Sequence, residues 1–155
     1  MTNNFTHEAA IPNLALKPFD ILIGEWKTIG THPYLPNTLH GHTSFKWIEG
    51  GSFLIMHSEI DEAGVPSGIA IFGSDDSTGE YFILYFDERN VSIKYDVSFH
   101  NNNNIIKWWR NAPGFSQRYT WTITNDGQTI IGKGELSKDG STWKKDLGQT
   151  FTRVS

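Results

Sequence analysis

The sequence contains no cysteine. That excludes a disulfide framework, a thiolate metal site and a cysteine nucleophile together. No apolar run approaches the roughly 20 residues of a membrane-spanning helix. No charge of one sign dominates: 13 Lys and Arg stand against 17 Asp and Glu, for a formal net charge of -4. The basic residues are scattered, with no run longer than Lys144-Lys145. Such a balance implies neither an acidic tail nor a nucleic-acid surface. The start of the chain is polar and lacks the apolar core of a Sec signal. The expectation is a cytoplasmic protein with no membrane span and no nucleic-acid partner. Enzyme signatures are missing too: there is no Gly-x-Ser-x-Gly, no phosphate loop and no His-Glu-x-x-His.

What the chain has in quantity is aromatic residues, 14% of its 155 positions, with six Trp and ten Phe. That richness suits a large aromatic core or a ligand-lined cavity, and the length fits one domain. Residues 1–12 read as a flexible arm, with a single domain over 13–155. Asn13 is placed to cap a short helix through Leu14-Ala15-Leu16, and Pro18 to start a second, so 13–23 reads as a helical plug. Gly24-Glu25-Trp26 then opens the first strand. Gly24 permits a φ that other residues resist, and Trp26 brings the largest apolar side chain.

From there the signals are those of strands. They fall at Gly24–His32, Gly41–Glu49, Ser52–Ile60, Ser67–Ser74, Glu80–Asp87, Val91–Phe99, Ile105–Arg110, Arg118–Thr124, Thr129–Ser137 and Thr142–Arg153. Turn residues separate them: Gly50-Gly51, Asp61-Glu62-Ala63-Gly64, Asp75 to Gly79, Asn125-Asp126-Gly127 and Lys138 to Ser141. Val91, Ile93, Tyr95, Val97 and Phe99 alternate with Ser92, Lys94, Asp96 and Ser98, the cleanest two-residue period in the chain. In the third, fifth and seventh strands both faces are apolar, so their inward phase stays open. About ten strands with short links and no βαβ alternation predict an all-β fold, a single closed antiparallel up-and-down barrel.

Candidate site residues follow from what a barrel interior needs. His57 lies among Phe53, Ile55 and Met56, and a buried neutral imidazole can bond a ligand; the bland alternative is a core histidine. Tyr81, Tyr85, Tyr95 and Tyr119, with Trp108, Trp109 and Trp121 nearby, offer rings and polar tips, against plain core packing. Arg118 and Arg110 flank the 111–117 loop, where an inward guanidinium would hold a carboxylate through two parallel bonds; the alternative is a solvated rim. The ligand-binding set is therefore His57, Tyr85, Tyr95, Trp109 and Arg118. His40 and His42 share a strand face, but no third ligand accompanies them, so no metal and no cofactor is expected. The expected partner is a small hydrophobic or amphipathic molecule, with a homodimer as the one protein assembly considered. An isomerase or hydrolase using His57 with a tyrosine is the alternative.

The short helix, Gly24-Glu25-Trp26, ten meandering strands and a basic residue in the last strand resemble the calycins, the lipocalins and fatty-acid-binding proteins. That resemblance implies that Trp26 packs at the closed end of the barrel under Arg153. Ile48-Glu49-Gly50-Gly51-Ser52-Phe53-Leu54, the Gly73-to-Gly79 turn and Trp143 through Arg153 are similar to a bacterial barrel family of unknown function, the DUF1579 type. The chain also resembles the nitrobindins, haem-binding barrels with a Gly-x-Trp start. Their haem-binding His falls here at about Asp146, and the final strand holds no His.

Overall fold

Antiparallel neighbours joined by short links can satisfy both sheet edges by closing on themselves, and this chain does so. The structure, a computed structural model describing residues 13–100, 102 and 104–155, forms a closed barrel in which each strand pairs with the next and the first with the last. Among the described residues the strands are β1 (Gly24–Thr31), β2 (Leu39–Ile48), β3 (Phe53–Ile60), β4 (Gly68–Ser74), β5 (Tyr81–Asp87), β6 (Ser92–His100), β7 (Ile105–Arg110), β8 (Ser116–Thr124), β9 (Thr129–Ser137) and β10 (Lys144–Arg153). The expected arm over 1–12 lies outside the described residues. No helix among them is long and apolar enough to cross a membrane.

The helical plug is corrected. Residues 13–23 hold a turn followed by a six-residue 3-10 helix, Lys17–Leu22, with Pro18 in its first turn. A stretch this short cannot offset the cost of nucleating an α-helix, and the tighter 3-10 form is the usual result. Asn13 does cap locally, its Oδ1 accepting the Ala15 N–H at 3.0 Å. Leu16, Phe19 and Leu22 are buried in the core under one end of the barrel. Tyr81 donates its hydroxyl to the Ala15 carbonyl at 2.7 Å, which ties the segment to β5.

That end is closed. Trp26 and Arg153 are direct partners in the β1–β10 ladder. Trp26 is fully buried and donates its indole N–H to the Leu22 carbonyl at 2.8 Å. The Arg153 guanidinium lies 4.2 Å from the Trp26 ring centroid. Its nitrogens donate to the carbonyls of Gly127, Ile23 and Ile21 at 3.0, 2.5 and 2.6 Å. Gly24, at φ 135°, is in the region glycine alone adopts easily; a Cβ there would meet Arg153 Nη1 at 2.6 Å.

The pairings settle the open phases, because directly opposed residues share a face. Met56 opposes Phe45, a buried residue of β2, so β3 points Met56 and Ser58 inward and His57 outward. Tyr95 opposes Ile83, which turns Ile83 and Tyr85 of β5 inside. Val97 opposes Trp108, so β7 places Trp108 and Arg110 inside and Trp109 outside.

Candidate functional site

The other end of the barrel is open. Its mouth leads into a cavity of about 710 Å³, within the size range of small-molecule sites. Met56, Ile60, Ala70, Phe72 and Ile83, from β3, β4 and β5, give it an apolar wall. The opposite wall is polar and aromatic, and β6, β7, β8 and β10 build it.

Glycines make that second wall possible. A Cβ on Gly134 of β9 would meet Tyr119 Cε1 at 2.5 Å and the Leu147 carbonyl oxygen at 2.8 Å, and one on Gly132 would meet Trp121 Cδ1 at 3.0 Å. The two rings of β8 therefore lie flat against β9. Tyr119 is clamped from its other side by Trp108, with ring centroids 3.8 Å apart and planes 13° apart. Tyr95 and Trp121 meet Trp108 edge to face. The indole N–H groups of Trp108 and Trp121 are buried in this aromatic packing and have no hydrogen-bond partner among the described residues.

A hydrogen-bonded chain crosses the same wall. Tyr95 donates its hydroxyl to Gln117 Oε1 at 3.1 Å. Gln117 Nε2 donates to the Tyr119 hydroxyl at 2.7 Å and to Asp146 Oδ2 at 3.3 Å. Tyr119 donates to Asp146 Oδ2 at 2.9 Å. His32 meets Asp146 Oδ1 at 3.0 Å. The His32 Nδ1 accepts the Tyr34 N–H at 3.1 Å, which assigns the ring proton to Nε2 and makes that nitrogen the donor. Asp146 reaches the cavity because the ladder slips between Lys145 and Gly148. Asp146 and Leu147, adjacent in sequence, consequently both line the interior.

Tyr85 lies at the mouth and donates to Asp87 Oδ2 at 2.9 Å. Arg89 caps the same carboxylate, with Nη2 at 2.6 Å. The hydrogen bonds from Arg89 hold the Asp87 carboxyl down to about 2. Burial pushes the Tyr119 and Tyr85 hydroxyls well above the usual phenol range, aided at Tyr119 by the Asp146 charge and at Tyr85 by the bond to Asp87. Burial also raises Tyr95, to about 12, against the opposing positive charge of Arg110. Each shift favours the neutral phenol in the folded state, so its contribution to stability is complete below about pH 10, the ordinary tyrosine value. That contribution is lost as the pH rises from there. In an alkaline titration followed by phenolate absorbance, these three tyrosines are expected to ionise only together with the loss of near-ultraviolet circular dichroism. Ionisation near pH 10 in an intact barrel would contradict the burial argument.

The predicted site residues divide. Tyr85 and Tyr95 line the cavity. His57, Trp109 and Arg118 do not. His57 is exposed on the outer face beside Glu59, so no His57–tyrosine pair forms in the interior. Trp109 opposes Asp96 and Arg118 on the outside. Arg118 bonds Glu135 at 2.9 Å and covers the Trp143 ring at 3.9 Å. Gln117, Asp146 and His32 are site residues that the sequence pattern missed. Gln117 begins the inward Gln117, Tyr119, Trp121 alternation and was legible by extending β8 one residue; Asp146, behind a bulge, carried no periodic signal. The residues do not fit an axially ligated haem. Asp146 is a carboxylate that accepts three hydrogen bonds. His32, the one histidine lining the cavity among the described residues, has both ring nitrogens engaged.

No family model matches the chain, and no curated protein matches it in sequence. Solved structures do resemble it. Rv2717c from M. tuberculosis superposes with a TM-score of 0.70 at 12% identity, covering 93% of this chain and 99% of that one. The S-type phycobiliprotein lyase CPES from Guillardia theta superposes with a TM-score of 0.58 at 7% identity, over 90% of this chain and 92% of that one. At such identities the likeness is one of fold.

Proposed function

We propose that the protein is a small-molecule binding protein that holds an apolar or amphipathic ligand inside the barrel. The observation that carries this reading is the cavity itself: open at one end, of about 710 Å³, and divided between an apolar wall and a polar one. A pocket of this kind buries a hydrophobic body and orients it by a few polar groups. Tyr95, Tyr119 and Gln117 are the groups that would set the ligand's orientation. The calycin-like Gly24-Glu25-Trp26 start and the stretches similar to the DUF1579 type agree with this reading. So does a barrel shared in outline with a phycobiliprotein lyase. A cytoplasmic location belongs to the same proposal.

The test uses neighbours on one strand. Met56 lines the cavity and His57 faces solvent. Binding of anilinonaphthalene sulfonate, fatty acids and aromatic metabolites is measured by calorimetry and native mass spectrometry. Met56→Trp, which fills the cavity, is expected to weaken binding of every active probe by more than about tenfold, and His57→Trp to leave it within about twofold. If no probe binds, or if a folded Met56→Trp variant binds as the parent does, the proposal fails.

A further inference from the structure

At the mouth end of the barrel the ladder between β6 and β7 stops short of the rim. β6 starts at Ser92, yet its ladder with β7 begins only where Asp96 opposes Trp109. On the β5 side the same stretch is fully paired, through Phe86–Ser92, Tyr85–Ile93 and Leu84–Lys94. β7 ends at Arg110 and the chain turns away through Asn111 and Ala112. The departure leaves a groove of about 290 Å³ on the outside of the barrel, between the start of β6 and these residues. Ile93 and Arg110 line both this groove and the interior cavity.

Arg110 stands where the two spaces meet. Its guanidinium forms no ion pair and no side-chain hydrogen bond among the described residues. Arg89, Arg118 and Arg153, in contrast, are each committed to carboxylates or carbonyls. Arg110 also sits near enough to Tyr95 for its charge to act on that hydroxyl, and it opposes Gln117 in the β7–β8 ladder. An unpaired arginine at an apolar cavity, beside a phenol and an amide, is the arrangement that binds a planar anion.

Resting on the binding reading above, we propose that the β6–β7 gap is a lateral opening of the cavity and that Arg110, at its throat, holds the acidic group of the ligand there. The ligand class follows from the surroundings. The interior takes an apolar body, and the throat takes one planar acid group. Asp96 lies in the same outer groove and would repel a second negative charge. Lys94 shares that groove, its Nζ 5.8 Å from the Phe82 ring centroid, so the Asp96–Lys94 pair brings no net positive charge to hold a second anion. The fitting ligand is an amphiphile with a single carboxylate, rather than a phosphate ester or a polyanion.

The test compares dansylaminoundecanoic acid with its methyl ester, read by dansyl fluorescence at low and high salt. The parent protein is expected to bind the acid about tenfold or more tightly than the ester, with that preference shrinking as salt is raised. Arg110→Gln is expected to abolish the preference while keeping the ester's affinity, and Arg118→Gln on the outer face to leave both unchanged. Ala112→Trp, which fills the groove without entering the cavity, is expected to reduce the acid to the ester's affinity. Equal binding of acid and ester by the parent, or a preference that survives Arg110→Gln, overturns the inference while the binding function stands. A preference lost in Arg110→Gln but kept in Ala112→Trp overturns the lateral opening. Binding of neither probe overturns the inference together with the reading on which it rests.

Discussion

Trp26→Ala is expected to lower the unfolding free energy by about 3–5 kcal/mol, the range for truncating a large buried aromatic. Trp26 is fully buried, and three connections end on it. Its N–H satisfies the Leu22 carbonyl, its face supports the Arg153 guanidinium, and its strand pairs with the end of β10. Truncation leaves a cavity at the one place where the first strand, the last strand and the 3-10 segment converge. Since small domains are stable by only about 5–15 kcal/mol in total, the variant is expected to be marginal at physiological temperature. Arg153→Ala should cost less, about 1–3 kcal/mol. It removes a donor from three backbone carbonyls but leaves the hydrophobic burial largely intact. Ligand affinity of the folded fraction should not change, because both residues lie at the end opposite the mouth. Urea denaturation checks the order. An unfolding midpoint for Trp26→Ala equal to that of the parent would show that the barrel does not depend on this closure.

Gly134→Val is the second large effect, and it reaches the ligand wall as well as stability. The added carbons meet the Tyr119 ring and the Leu147 carbonyl, both closer than real Cβ contacts allow. Tyr119 cannot retreat, because Trp108 is stacked on its other face. The substitution must therefore displace β9 from β10 or turn Tyr119 away from Asp146, and overpacking of this kind costs about 1–3 kcal/mol. Turning Tyr119 away would leave the Asp146 carboxylate with fewer donors in a largely buried site. The expected result is lower stability, weaker probe binding and ionisation of one tyrosine earlier in the alkaline titration. Lys133→Val, one residue away but exposed, should alter stability by no more than about 0.5 kcal/mol. A Gly134→Val variant with unchanged stability and tyrosine titration would remove the argument that this glycine is kept for the ring.

Much of the barrel was legible from local chemistry. β7 and β9 span the residues that alternation and turn signals assign to them, and most other strand ends differ by one or two positions. The inward faces of β2 and β6 were equally readable, because one side of each is apolar and the other polar. In the 13–23 segment the apolar cluster was visible, but nothing in it decides between an α-helix and the turn and 3-10 helix that serve the same burial.

Tertiary structure decided what alternation leaves open. In β3, β5 and β7 both faces are apolar, so a two-residue period cannot say which points inside. Ladder partners on better-patterned strands made that choice, sending Tyr85 in and His57 and Trp109 out. Arg118 was excluded and Gln117 included by the same rule, acting through their partners on β7 and β9. Asp146 depended on a register slip that exists only when β10 lies against β9, and Arg110 gained its setting from β7 stopping short of the start of β6. A strand's own sequence records the contrast between its two faces. Which face is inside, and where the wall opens, are properties of its neighbours.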